Sequence, residues 1–392
     1  MSKLLEDILV LDLSQFLSGP YASLRLSDMG ARVIKIERPL TGDICRSLYV
    51  SDVRVEGGES TIFHAINRNK ESFVADIKDE AQREQLKDLI RKADVLIHNF
   101  RPGVMERAGL GYEAVREINP QLVYAEINGY GEAGEWKQLP GQDLLLQAVS
   151  GIAYLSGNCS DPPTPMGVAA GDILAGTHLV QGILSALFAR MASGEGALVQ
   201  VSMLESLIDF QFEVLTCFFN DGNRLPQRSA VNSGHAYIAA PYGIYRTADG
   251  HLALAMGSVP VLGKLLGCDA LQAYAQSSDW FSKRDEIKRI IQQQLLGRST
   301  GEWLKILEPA DIWCAEVMDY DKLTVSEGYA VLDMEQSVVA DGKAVRTTRC
   351  PVRVDGELLK STKGAPQLGA HTEAIKKEFG LGKGVYMPEQ LK

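Results

Sequence analysis

Ile8-Leu9-Val10-Leu11-Asp12-Leu13 and, after one interruption, Arg32-Val33-Ile34-Lys35-Ile36 are the runs that decide the fold. Each is a short apolar stretch of strand length, the pattern of a strand covered on both faces. Between them Ser18-Gly19-Pro20 breaks the chain, Tyr21 to Met29 makes a short helix with Tyr21, Leu24 and Met29 apolar, and Gly30 ends it. The rhythm continues with Phe73-Val74-Ala75-Asp76, a charged helix from Glu80 to Lys92, then Val95-Leu96-Ile97 and Leu122-Val123-Tyr124-Ala125. Strand–helix–strand alternation of this kind predicts an α/β fold with a mainly parallel sheet covered by helices.

Further along, a short helix is expected near Leu144 to Val149 and a strong one from Asp172 to Met191, where Leu179, Val180, Ile183, Leu184, Leu187 and Phe188 recur at helical intervals. The texture changes at Asn220-Asp221-Gly222-Asn223-Arg224-Leu225-Pro226, a polar linker. A hairpin over Tyr242 to Ala255 turns at Asp249-Gly250, and small helices come after it at Val261 to Leu266, Arg284 to Leu296 and Trp303 to Leu307. Strand character returns from Val338 to Val354, and Thr372 to Phe379 is helical. This order predicts a large domain made of residues 1–222 and 329–392, with a smaller α+β domain, 223–328, inserted into it.

At 392 residues, with 40 Lys+Arg against 50 Asp+Glu and a net charge of −10, the chain lacks the basic stripe of a nucleic-acid binder. Its six cysteines are scattered with no C-x-x-C pair, which argues against a zinc or redox site and fits a reducing compartment. No basic region leading into an apolar core opens the chain, so no signal peptide is expected, and the sequon at Asn158 is expected to be idle. The apolar run Leu174 to Ala189 is interrupted by Thr177, His178 and Gln181 and is short for a membrane span. The expectation is a soluble, cytoplasmic protein with no membrane and no nucleic-acid partner. No G-x-G-x-x-G fingerprint follows the first strand, where Gly19 stands alone, and no phosphate-loop lysine motif exists, which argues against nicotinamide and ATP chemistry. Gly297-Arg298-Ser299-Thr300-Gly301 fits G-x-S-x-G formally. However, a helix rather than a strand precedes it, and Ser299 with Glu302 makes a helix-capping box.

The six histidines (His64, His98, His178, His235, His251 and His371) have no ligand spacing and are read as structural; His178 stands closest to the position of interest. That position is Asp172, in Gly167-Val168-Ala169-Ala170-Gly171-Asp172-Ile173-Leu174-Ala175-Gly176. The plain reading is a helix N-cap. The functional reading is a nucleophile: small neighbours leave room for a ligand, and the helix terminus favours an ionised carboxylate and an anion beside it.

Taken together, ten segments in order across nearly the whole chain resemble the class III CoA-transferase family, which includes formyl-CoA transferase and the carnitine CoA-transferases. They are Leu11-Asp12-Leu13-Ser14 with Gly19-Pro20; Gly30 to Pro39 with Gly42-Asp43; Asn67-Arg68-Asn69-Lys70; Asn99-Phe100-Arg101-Pro102-Gly103; and Gly129-Tyr130-Gly131. Then come Gln147 to Gly151, the Asp172 segment, Val201-Ser202-Met203, Pro241-Tyr242-Gly243 and Leu368 to Thr372. The resemblance implies a Rossmann-like large domain, a small domain and two subunits interlocked as a homodimer. It implies Asp172 as the catalytic nucleophile and a CoA cleft formed by Gln15, Phe16, Arg38, Asn99, Phe100, Met105, Arg107 and Met203. Phe16, Phe100 and Met203 could equally be core, and Arg38 and Arg107 surface charges. It implies no permanently bound cofactor and no metal, with coenzyme A and acyl-CoA as substrates.

The reaction so implied moves CoA from an acyl-CoA donor, such as succinyl-CoA or acetyl-CoA, to a free carboxylic acid through a covalent aspartyl intermediate. Two alternatives stand beside it: an α-methylacyl-CoA racemase or epimerase, and a non-catalytic CoA-binding protein. Racemases of the superfamily pair the aspartate with a histidine where Gln142 stands, and glutamine does not exchange protons near neutral pH. Asp143 comes next, at a position that is acidic in formyl-CoA transferase. Leu17 stands where that enzyme has glutamine, and its glycine-rich loop is reduced here to Met256-Gly257-Ser258-Val259-Pro260. Both departures point to a larger or less polar acid than oxalate.

Overall fold

The computed structural model describes residues 4–48, 60–340, 342–361 and 363–381. The chain forms two compact units, Met1–Leu146 with Ala169–Ser206 and Leu332–Lys392, and Gln147–Val168 with Leu207–Val331. The second takes in 223–328 and extends beyond it on both sides.

The first unit is built on a six-stranded sheet, β1 Leu9–Asp12, β2 Arg32–Glu37, β3 Glu71–Val74, β4 Val95–His98, β5 Val123–Asn128 and β6 Leu198–Ser202. The spatial order is β3-β2-β1-β4-β5-β6 and every pairing is parallel. The four strands β1, β2, β4 and β5 are almost wholly buried, which is why they read as apolar runs without alternation. Leu11, Ile34, Phe73, Leu96 and Tyr124 form a core with Leu86, Leu89 and Ile90 of the helix Glu80–Ile90. Asp79 starts that helix by accepting from the Gln82 N–H at 2.9 Å. The C-terminal segment returns to β3: Val74 N–H donates to Thr372 Oγ1, and Ile375 of the helix Thr372–Phe379 joins the core.

Two helices carry residues of the candidate site, Ser18–Asp28 after β1 and the 24-residue helix Ala170–Ser193. The latter outruns the apolar stretch Leu174 to Ala189 and, by length and composition, is long and apolar enough to cross a membrane. Here it buries Leu179, Val180, Ile183 and Leu187. It lies close against Ser18–Asp28, because a Cβ on Gly176 would stand 2.7 Å from the Ser18 carbonyl oxygen and 2.9 Å from Tyr21 Cδ1. Only glycine allows that approach.

The second unit carries its own core of Tyr245, Leu252, Leu262, Ile287, Ile291, Leu295, Trp303 and Leu307. Strands β7 Gly243–Arg246 and β8 His251–Leu254 form the expected hairpin, extended by β9 Cys314–Glu316, with helices Val259–Leu266, Arg284–Leu295 and Thr300–Leu307 packed on it. Ser299 and Glu302 make the capping box of the last helix, with Ser299 N–H donating to Glu302 at 2.9 Å, so the G-x-S-x-G match is a helix start. The polar linker lies inside this unit rather than at its border. Helices Met203–Phe210 and Phe212–Asn220 run up to it, neither of them anticipated from the sequence.

Candidate active site

The strand order reverses direction between β1 and β4, and ligands of open α/β sheets bind at the carboxyl ends of strands flanking such a point. The loops leaving these two strands are tied to each other there. Asn99, just after β4, accepts from the Gln15 N–H at 2.8 Å and donates to the Gln15 carbonyl at 2.7 Å, and it also reaches the Ser18 hydroxyl at 3.3 Å. Ser18 is the first residue of its helix, so its N–H has no partner within that helix.

Asp172 lies in the first turn of Ala170–Ser193 and faces Ser18. Its position differs from the N-cap expected of it: it is the third residue of the helix, and the cap, Ala169, makes no side-chain bond. The carboxylate that satisfies the helix start is Asp143, whose Oδ1 accepts from the Gly171 N–H at 2.6 Å and the Asp172 N–H at 3.2 Å. The Ser18 hydroxyl and N–H are the polar groups that bear favourably on the Asp172 carboxylate. Burial, and after it the like charge of Asp143, pushes its carboxyl up to about 6, against the downward pull of Ser18. His178 is turned to Ser206, 3.0 Å away, and Gln142 is exposed.

A cleft of about 980 Å³ opens over the ends of β1 to β4, lined by Gln15, Arg38, Phe100 and Arg107 among the residues anticipated for CoA. It also brings in Lys78, Arg83 and Arg101, which the sequence reading missed. A signal existed. Arg38, Lys78 and Arg101 are each the first basic residue beyond the end of β2, β3 and β4, so the topology alone sends all three to one rim. The other four anticipated residues sit differently. Asn99 holds the Gln15 backbone. Phe16 takes a left-handed φ of 64° and is 41% exposed, and its N–H donates to Asp43 Oδ1 at 3.2 Å. Met105 packs in the core beside Leu110 and Met203 is buried, so neither lines the cleft in this chain.

Beneath the cleft lies a buried ionic network that unites three of the sequence segments. Asp12 accepts from Lys70 at 3.0 Å and from Ser23 at 2.6 Å, and Ser14 hydrogen bonds to it. Lys35 pairs with Asp43 at 2.8 Å and donates to the Ser14 carbonyl at 2.9 Å. Glu37 binds Arg46 at 2.8 Å and accepts from the Asp43 N–H and the Ser72 hydroxyl. Although burial opposes its charge, Lys70 and Lys35 hold Asp12 far below the usual carboxylate range. Burial draws Lys70 down to about 8. Lys35 holds the Ser14 carbonyl and Asp43 the Phe16 N–H, so the network fixes the backbone on either side of Gln15 in the cleft wall.

Residues 5–372 match the family described as CoA-transferase family III, and the chain belongs to that family of enzymes. It is 34% identical over 325 residues to an acetyl-CoA:oxalate CoA-transferase of Acetobacter aceti, covering 80% of each protein. It is 31% identical over 317 residues to the human succinyl-CoA:glutarate CoA-transferase, covering 79% of this chain and 70% of that one. Among solved structures, a CaiB/BaiF family protein from Brucella suis superposes with a TM-score of 0.83 at 29% identity, covering 95% of this chain and 98% of that one. The Mycobacterium tuberculosis protein Rv3272 gives 0.82 at 26% identity, with the same coverage.

Proposed function

We propose that this enzyme transfers CoA from an acyl-CoA to a free carboxylate, with Asp172 as the covalent carrier. The observation that carries this reading is one partly buried carboxylate, aimed at Ser18 and linked through Asn99 to the wall of a basic cleft. Asp172 attacks the donor thioester carbonyl, and the C–S bond breaks to release CoA thiolate and leave an acyl-aspartyl anhydride. The thiolate attacks the aspartyl carbonyl, freeing the donor acid and forming an aspartyl-CoA thioester. The acceptor carboxylate attacks that thioester, and the released thiolate then takes the acceptor acyl group from the second anhydride and restores Asp172. Each step exchanges one acyl bond for another, so the thioester's energy is retained and the cycle uses no ATP. The oxyanions that develop beside Asp172 require N–H donors aimed at them.

The cleft's Arg38 and Arg107 are assigned to the CoA phosphates, for which guanidinium forks are suited. Replacing either by alanine is expected to raise KM for acyl-CoA roughly tenfold with kcat within about twofold, because the phosphates are held equally in ground and transition states. We place acceptors among dicarboxylic acids, since two similar proteins are an oxalate and a glutarate enzyme. Because Asp172 must be ionised to attack, kcat/KM is expected to fall about tenfold per pH unit below about 6. Gln142 weighs against racemisation, which needs a second proton carrier.

We further propose that the working form is a homodimer in which two chains interlock, with the 223–328 region as an inserted small domain. Support comes from apolar side chains left uncovered, Phe188 at 77% and Met191 at 85% exposed on the long helix. A cytoplasmic location fits the absence of any disulfide among the described residues. The test is an exchange assay with succinyl-CoA or acetyl-CoA and a panel of mono- and dicarboxylic acids including oxalate and glutarate, read by mass spectrometry. New acyl-CoA species that depend on Asp172 support the reading. No exchange, with deuterium entering the substrate α-carbon instead, would transfer the chain to the racemase class.

A further inference from the structure

We propose that Asp143 is a positioning residue for Asp172: its carboxylate closes the first turn of the long helix, so that the Asp172 carboxylate has no backbone partner in its own helix and stays turned toward Ser18. The proposal rests on the transferase reading for its catalytic meaning but not for its geometry. At a helix start, the N–H groups of the second and third residues are the ones that an N-cap side chain accepts from, and Ala169 has no side-chain oxygen to do so. Here those of Gly171 and Asp172 are already taken by Asp143, at 2.6 and 3.2 Å.

Asp143 is itself held in place by the chain that carries it. A Cβ on Gly141 would lie 2.8 Å from the Gly129 Cα, and one on Gly129 equally close to Gly141. The two glycines thus lock the Gly141-Gln142-Asp143 segment against the carboxyl end of β5. The helix head is anchored to the sheet through this carboxylate rather than through a cap of its own.

Asp143 also acts by charge. Among the groups that meet Asp172, Ser18 comes from the helix Ser18–Asp28, with Tyr21 a turn along against Gly176, and Asp143 from the start of Asp143–Val149. On its own helix His178 is engaged with Ser206. Asp143 is therefore the charged group that bears on Asp172, and it opposes a second negative charge there.

The experiment compares wild type, Asp143→Asn and Asp143→Ala. Asparagine keeps an oxygen to accept the two N–H bonds and removes the charge; alanine removes both. The pH dependence of carbodiimide coupling of glycine ethyl ester to Asp172, read by peptide mass spectrometry, reports protonation without turnover. The midpoint is expected near 6 in wild type and about one pH unit lower in Asp143→Asn. In exchange assays at pH 8, Asp143→Asn should keep kcat within about threefold, while Asp143→Ala should lose about tenfold or more with KM for acyl-CoA unchanged. Coincident midpoints in all three proteins, or wild-type kcat in Asp143→Ala, would overturn the proposal. A failed transferase reading is distinct: exchange is then absent in wild type, while the midpoints still decide the role of Asp143.

Discussion

Asp172→Asn is expected to abolish CoA transfer and at the same time make the protein more stable at pH 8. The loss comes from the chemistry: an amide oxygen does not form the anhydride, and removal of a covalent nucleophile costs on the order of 10,000-fold or more in kcat. The gain comes from the site. The Asp172 carboxyl is pushed from an ordinary 3.8 up to about 6 in the folded chain, by burial first and Asp143 second. A carboxyl that holds its proton more tightly folded than unfolded opposes folding wherever it is ionised in both states, and ceases to do so once both are protonated. Relief of that penalty should therefore be full above about pH 6, fade as the pH falls from 6 to 4, and be gone below. The magnitude is ~1–3 kcal/mol at pH 8. Denaturant melts of the two proteins at pH 8 and pH 4 check it, and an equal difference at both would contradict the assigned electrostatics.

Lys70→Met is expected to cost stability heavily without touching any group assigned to substrate. Lys70 Nζ lies among Asp12, Ser23, Asn67 and the Pro20 carbonyl, all within 3.0 Å. Methionine of similar length would fill the space but leave the Asp12 carboxylate with Lys35 at 4.0 Å as its nearest cation. Breaking one side of a buried pair costs ~3–5 kcal/mol, because the remaining charge has neither water nor partner. Part of this is offset here, since Lys35 and Lys70 repel each other and Lys70 is drawn down to about 8. A loss of at least ~2 kcal/mol in chemical denaturation is expected. A change under ~0.5 kcal/mol would mean that the network contributes little to the fold.

The sheet was legible because its strands are buried on both faces. Val33-Ile34 and Val95-Leu96-Ile97 stand out as apolar runs, and the strand–helix alternation marks them as members of one parallel sheet. The helices Met203–Phe210 and Phe212–Asn220 were not legible, since they carry apolar residues on much of their surface, with Phe210, Phe212 and Phe219 at least half exposed. Lys35 inside β2 and Asp12 inside β1 were visible as charges in buried runs, but their partners Asp43 and Lys70 are brought in by the three-dimensional path and by no local spacing. The same holds at the site. Asp172 stood out from its sequence setting, yet which carboxylate caps the helix depends on Asp143, 29 residues away in the chain. Lys78 and Arg83 join the cleft only because β3 lies beside β2.

If Asp172 carries the transferred group, the group can be caught on it. The protein is incubated with succinyl-CoA alone, quenched in acid with and without hydroxylamine, digested and analysed by mass spectrometry. A CoA adduct is expected on the peptide containing Asp172, replaced by a hydroxamate after hydroxylamine and missing from Asp172→Ala. Full exchange activity in Asp172→Ala, or an adduct confined to a different residue, would contradict it.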